Sequence, residues 1–514
     1  MYRILSASKD TYITDKIINN NFRATDANVG QAGTLDVFKL FEESSYISGS
    51  TRITGSVVEL SRLLIKFDLN EIRALTSSKL DYAHSSFKCI LKLHDVYGGQ
   101  TTPSNFKLIT FPLSRSFDEG RGRDVVSFTD VDATNFMTSS VSGDSPTAWH
   151  LSGANNQGLL GDDNLDIIAS GNLYDGDGIK NLWVSQLFST GEEDLVMDVT
   201  TIVPATLAGQ MPDHGFRISY SGTQETDGRT RFVKRFAARH ANNTSIRPKL
   251  IVKYDDTVID HHRSFFFNTS GSLFLNNRLR GSSYNLLTGT AGKLHGVSGS
   301  SCLKLRIVSG TYSASFTGSQ HKIGNNFVTG VYSSSFLLDE FTVTSSLRDE
   351  IKYAGSATFS TYWESFDGTI GYYTGSFVAN TIKRTAFTNV PSRLFINITN
   401  LTRIYRHSDK VTLRVFVENI DRQIVAKKLP LEAKSEIYTE MFYRVRDYDS
   451  NTVIIPFDTK DRATRLSTDT QGMYFDFYMD SLSKGRTYVF DFLIKDLGSD
   501  LVFTDVAAKF RVDS

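Results

Sequence analysis

Along most of this chain, β-branched and aromatic residues come in short runs that alternate with polar positions, and Gly, Ser, Asn and Asp close each run. Arg62 to Leu69, Val411 to Val417, Tyr474 to Tyr478 and Tyr488 to Leu493 are the clearest examples. Sustained helical periodicity is nearly absent, so the pattern predicts an all-β protein. Two brief helical pieces are expected: Asn70 capping Glu71 to Leu75, and a turn from Asp198 through Leu207 that Pro204 interrupts.

The texture divides the chain into three. Residues 1–256 open with the strand-like Asp10-Thr11-Tyr12-Ile13 and close with Leu250 to Tyr254, ahead of the polar break Asp255-Asp256. Within them, about 137 to 194 is rich in Ser, Gly, Asn and Asp and predicts a long surface excursion. Residues 257–386 place Ser-Gly spacers between aromatic pairs such as Tyr312/Phe316, Tyr332/Phe336 and Tyr373/Phe377, whose even spacing puts each pair on one strand face. No fixed period marks a solenoid or propeller, leaving a small antiparallel β-domain or an extended β-rich connector. Residues 387–514 return to apolar-polar alternation and predict an immunoglobulin-like or fibronectin-like sandwich, without the Cys…Trp…Cys pattern of antibody domains.

Charge narrows the classes of function. Lys plus Arg and Asp plus Glu are 56 each, which provides no net field to draw in nucleic acid or an anionic membrane. The densest basic stretch, Arg229 to His240, interleaves Arg231, Lys234, Arg235 and Arg239 with Phe232, Val233 and Phe236, and reads as a strand with one solvated or salt-bridged face. Cys89 and Cys302 are far apart with no CxxC neighbour, so buried free thiols are expected in place of a disulfide framework or zinc site. The first ten residues hold no apolar signal region and no apolar run is long enough to span a bilayer, so synthesis in the cytoplasm is expected. The sequons at Asn397 and Asn400 then read as ordinary strand and turn residues.

Five motifs follow one another through the first segment: Arg62-Leu63-Leu64-Ile65-Lys66-Phe67-Asp68-Leu69, Asp118-Glu119-Gly120-Arg121-Gly122, Met197-Asp198-Val199-Thr200, His214-Gly215-Phe216-Arg217-Ile218, and Arg247-Pro248 leading a final strand. With Asp10 to Ile13 and Trp149, their order resembles the DNRLRE (disaggregatase-related) family of β-sandwich modules, in the form seen in structural proteins of tailed-phage virions. The chain departs from that family before Glu-Gly, where Phe117 and Asp118 replace an aromatic that is often Trp. The resemblance covers about half the chain and implies a jelly-roll-like sandwich that binds or builds surfaces.

Catalytic constellations are poorly supported. Gly296-Val297-Ser298-Gly299-Ser300 fails the nucleophile-elbow pattern at its fifth position, and Gly292-Lys293 lacks the surroundings of a phosphate loop. Asp175 and Asp177, in Asp175-Gly176-Asp177-Gly178, are the candidate ligands for calcium; a solvated turn is the competing and preferred reading, since Ile179 and Lys180 stand where further ligands belong. His261 and His262 are adjacent and face opposite ways in a strand. No acidic pair is singled out for glycoside cleavage, and Glu119 reads as a turn carboxylate accepting backbone hydrogen bonds. Trp149 and Trp183 are candidates for interaction or glycan stacking, against the commoner role of a core Trp.

These readings converge on a non-enzymatic structural protein of a tailed-phage virion, at the neck, tail or baseplate periphery. It would assemble with other virion proteins and with copies of itself inside the host cytoplasm, without a cofactor, nucleic acid or membrane. The alternative is a carbohydrate-binding surface or adhesin module that contacts cell-surface polysaccharide.

Overall fold

A computed structural model describes residues 1–18, 22–48, 51–77, 79–99, 102–126, 133–143, 145–173, 178–263, 265–290, 293–381, 393–420, 435–496, 499–506 and 509–513. The protein is all-β: 37 strands, four short α-helices and two 3-10 turns among the described residues. They group into two compact units, Arg3–Arg73 with Phe87–Lys253, and Met1–Tyr2 with Ala74–Ser86 and Tyr254–Ser514.

In the first unit the strand Thr51–Phe67 is the hub. Its C-terminal part pairs with Tyr2–Thr14 on one side and Phe216–Tyr220 on the other. The sheet then runs outward through Phe106–Pro112 to Val184–Phe188, and in the other direction through Lys249–Lys253 and Lys88–Leu93 to Leu195–Asp198. The two end strands are consecutive in the chain, and Gln186 joins them: its Nε2 donates to the Asp194 carbonyl at 2.8 Å and its Oε1 accepts the Val196 N–H at 2.6 Å. The sheet therefore curls back on itself, which hides edge groups that would otherwise lack partners.

Leu63, Leu64 and Ile65 are all buried, so the expected inward alternation does not hold there. The reason is a second covering layer. Trp149, Ala154 and Ile167, from the stretch predicted as a surface excursion, pack with Leu64, Ile109, Phe111 and Leu113 in one cluster. That stretch also forms a hairpin, Thr138–Ser142 with Ser145–Ala148, and a small three-stranded sheet. Local caps differ from expectation too. Asp68, not Asn70, accepts the first helical N–H, that of Asn70 at 2.9 Å. Pro204 lies in the first turn of Ile202–Leu207, where a missing N–H costs nothing, and so does not interrupt it. Pro248 leads the last strand of this unit, which has neighbours on both sides, and its carbonyl accepts the Ala7 N–H at 3.2 Å. Cys89 is buried, but Cys302 only half so.

One part of this unit leaves the sheet. Thr34–Ser48 and Thr51–Phe67 pair continuously from Lys39/Leu60 to Ser48/Thr51 without a bulge. A third strand, Arg231–Ala237, reaches Thr34–Ser48 only as far as Lys39. Thr230 bonds both backbone groups of Phe41, and Arg23 reaches the Val58 carbonyl. Beyond these, seven residue pairs from Glu42/Val57 to Ser48/Thr51 form a two-stranded arm with no further strand among the described residues.

The second unit holds a six-stranded antiparallel sheet built from residues 269–380, and two further sheets built from 394–513. Tyr312, Tyr332 and Phe336 are buried on one face, as even spacing predicts. Tyr373 stays in phase with Phe377, directly opposite buried Trp363, yet its ring is exposed on this edge strand; the register shift comes just beyond it, and Tyr372 packs on the core. Helix Ser345–Ala354 covers the core with Leu347 and Ile351, and Gly355 closes it in the left-handed conformation.

The last two sheets face each other as an immunoglobulin-like sandwich. One contains Lys410–Asn419 and Gly472–Tyr478, the other Met441–Asp447, Arg486–Asp496 and Phe510–Asp513. Tyr443 stacks on Phe475 across them, ring centroids 4.4 Å apart, and Phe490 meets Phe475 and Phe477 edge-on. Asp491 is wholly buried yet accepts from Arg444 and Arg446 at 2.6 to 2.9 Å. Burial raises its pKa, but the two guanidiniums outweigh burial and hold it below the usual carboxylate value.

Candidate functional site: the motif cluster and the exposed surfaces

Residues from two separated motifs, Asp10 and Glu119, meet in the first unit together with Arg239 of the basic stretch. Glu119 accepts the Asp10 N–H at 3.0 Å through Oε1, and takes Arg239 in a two-pronged ion pair at 2.9 and 2.7 Å. Its carboxylate therefore does bond backbone, as a turn carboxylate should, but its main partner is a guanidinium more than a hundred residues away. Asp10 is buried, with Oδ2 accepting the Arg239 N–H at 2.5 Å and Oδ1 lacking a partner. Burial pushes its pKa up to about 7, and the Glu119 charge adds to that.

Asn28 locks the Glu-Gly loop against this cluster. Its Nδ2 donates to the Glu119 and Thr134 carbonyls, and its Oδ1 accepts the Gly30 and Gly122 N–H groups at 3.2 and 3.0 Å. All its hydrogen-bonding capacity is used in a site closed to water. Gly122 is needed for approach: a Cβ there would lie 1.7 Å from the Asn28 carbonyl oxygen. Gly122→Ala should cost about 1–3 kcal/mol by forcing backbone apart, read as a drop in the urea midpoint; an unchanged midpoint would show that the loop is slack. Every polar contact described here is internal, so the cluster reads as a structural clamp. Asn28 carried no motif that a sequence reading could single out, and Arg239 stood out only as one cation of the basic stretch, without its tie to Glu119.

The basic stretch is mostly paired. Arg231 forms a two-pronged pair with Asp227, which Lys39 also contacts, and Arg235 does the same with Asp36. Lys234 is in phase with buried Phe236 and is 0% exposed, while a register shift between Arg231 and Lys234 reverses the phase before it, so that Arg231 is buried and Phe232 exposed. Lys234 Nζ donates to Asp95 at 2.5 Å and to the carbonyls of Gly191 and Glu193, and sits over Phe236 and Phe188 at 4.9 and 5.4 Å. A phosphate-binding patch would need these cations free.

The two Trp candidates separate. Trp149 is 5% exposed and its indole N–H donates to the Asn135 carbonyl at 3.0 Å, so it offers no ring face to a glycan; it is a core residue. Trp183 is 39% exposed and precedes the strand Val184–Phe188, where Leu187 is also exposed. They are not brought together. Asp175 and Asp177 lie outside the described residues. Among the described residues no group of three His, Cys, Asp or Glu side chains is placed to hold a metal ion, and no helix is long and apolar enough to cross a membrane. His261 accepts the Ser272 N–H through Nδ1 at 3.0 Å, while the His262 backbone N–H goes to Asp260.

A half-open groove of about 350 Å³ lies in the second unit, lined by Phe266, Thr269, Ser270, Tyr438, Lys495 and Asp496 among others. Large apolar side chains are also exposed around the six-stranded sheet: Phe341, Tyr353, Phe366, Tyr373 and Val378. Tyr373 and Val378 belong to Gly371–Asn380, which is the edge of that sheet.

No protein-family model matches the chain, and no curated protein matches it. Among solved structures, one of the N-terminal four Ig domains of Dscam1 isoform 9.44, with zinc, overlaps 59% of this chain and 59% of its own length, at 8% identity and a TM-score of 0.12. A likeness at that level bears on neither topology nor function.

Proposed function

We propose that this protein is a non-enzymatic structural component of a tailed-phage virion, acting by assembly with neighbouring proteins and copies of itself. The observation that carries the reading is a sheet edge bearing exposed large side chains, Tyr373 and Val378 on Gly371–Asn380, which among the described residues has no further strand beside it beyond the Phe265–Phe267 bridge to Asn380, with Phe366 and Phe341 exposed elsewhere in the same segment. Edges and aromatic anchors of this kind suit burial against another β-protein. The resemblance of the ordered motifs supplies the virion setting. Balanced charge supports dense packing of copies. Mass spectrometry of purified particles tests it: the chain should appear in a fixed ratio of five, six or twelve, or a multiple, to a symmetric structure. Absence from the particles would remove the reading.

The groove beside Phe266 and Tyr438 favours a second reading, a carbohydrate-binding surface, because aromatic rings, hydroxyls and a Lys/Asp pair are the groups that hold sugars. Glycan-array binding that disappears in Tyr438→Ala would move that reading to first place.

A further inference from the structure

We infer that the arm formed by Glu42–Ser48 and Thr51–Val57 is a self-association device, pairing along the outer edge of Thr51–Val57 with the same edge of a second copy. The backbone motivates this. An isolated two-stranded ribbon is marginal in water, and this one extends for seven residue pairs, roughly 20 Å, with no third strand on either side among the described residues. Natural edges are usually blunted by Pro, Lys or a bulge. Residues 42–57 contain no Pro and no Lys, and their pairing has no bulge.

The two edges are not equivalent. The strand Glu42–Ser48 begins with two adjacent acids, Glu42 and Glu43, and charged side chains of this kind blunt an edge against added strands. Thr51-Arg52-Ile53-Thr54-Gly55-Ser56-Val57 has three β-branched residues in its first four and a single charge. A two-fold axis at Thr54 sets Arg52 against Ser56 and Thr51 against Val57, so no like charges meet. An antiparallel pairing of identical strands is satisfied by one symmetric copy, which is why the partner is this chain itself. The same edge lower down already carries Tyr2–Thr14, paired as far as Thr14 with Ser61, so an added strand would extend an existing sheet.

This inference deepens the assembly reading by naming a self-contact, and the two can fail separately. The test is the native mass of the full chain and of a variant in which residues 43–56 are replaced by Asn-Gly. Glu42 and Val57 stand directly opposite each other, so a two-residue turn closes the hairpin there. The full chain should be dimeric at micromolar concentration, and the shortened chain monomeric with an unchanged melting temperature. A second variant, Thr54→Cys with Cys302→Ser, should form a disulfide-linked dimer on mild oxidation, because residues facing across such an axis have Cα atoms about 4.5–5.5 Å apart. A monomeric full chain, a dimer that survives shortening, or failure of the Thr54→Cys variant to cross-link would each overturn the inference. Virion incorporation would be measured independently of all three.

Discussion

Replacing Lys234 by Met should destabilise the first unit by about 3–5 kcal/mol, the range expected when one partner of a buried ion pair is removed. The methionine fills much of the lysine's volume and keeps the contact with Phe188 and Phe236, so lost packing contributes little. What remains is a carboxylate, Asp95, and two carbonyls, those of Gly191 and Glu193, whose shared donor has gone. Unsatisfied groups away from water cost more than the net gain of making the bond. Lys234→Met combined with Asp95→Leu should recover part of the loss, because it removes the stranded charge. Urea unfolding of the three proteins checks this, and a single-variant loss below about 1 kcal/mol would mean that water reaches Asp95 and the pair is not closed.

Lys234 also marks where sequence reasoning reached its limit. The strand around it was legible, because Phe232, Val233 and Phe236 alternate with cations. Its phase was not, because the irregularity between Arg231 and Lys234 inverts which residues face inward, and nothing in the residue types announces it. Tyr373 is a different case: it keeps the phase that even spacing gives it, opposite Trp363, but its ring is exposed because it lies on the end strand of the sheet. Class and most strands followed from alternation, since period two is a property of local backbone. Trp149 shows the other kind of gap. A Ser/Gly/Asp-rich stretch suggested a surface loop, but a few apolar residues within it, Trp149, Ala154 and Ile167, cover the outer face of Ile109 and Phe111. Composition averages over such residues. The motif cluster was half legible: Asp10, Glu119, Gly120 and Gly122 stand out in order, whereas Asn28 and the tie of Arg239 to Glu119, which hold them together, are visible only when the strands are assembled.

Asp10→Asn should leave stability unchanged near pH 4 and raise it progressively toward pH 8. In the native protein Asp10 is buried, one oxygen has no partner, and its pKa is pushed up to about 7, chiefly by loss of water and then by the Glu119 charge. Arg239 and Arg247 pull it back without cancelling burial. An unfolded Asp titrates near 3.9. Below that value both states carry the proton and the group is neutral toward stability. Between about 4 and 7 the unfolded chain ionises while the folded chain keeps its proton, so stability falls as pH rises and the loss is complete above the folded value. At about 1.4 kcal/mol per unit, three units set the ceiling on the order of 4 kcal/mol. Asparagine has no such titration and keeps the shape of the carboxyl group. Asp260 in the second unit is raised the same way, also mainly by burial, so the wild-type protein and the variant will share part of the slope. The informative quantity is therefore the difference between their urea midpoints at pH 4.5, 6 and 8. A difference that grows with pH locates the proton on Asp10. One that stays constant across the range would place a charged carboxylate inside the clamp, held by Arg239 more strongly than its burial opposes.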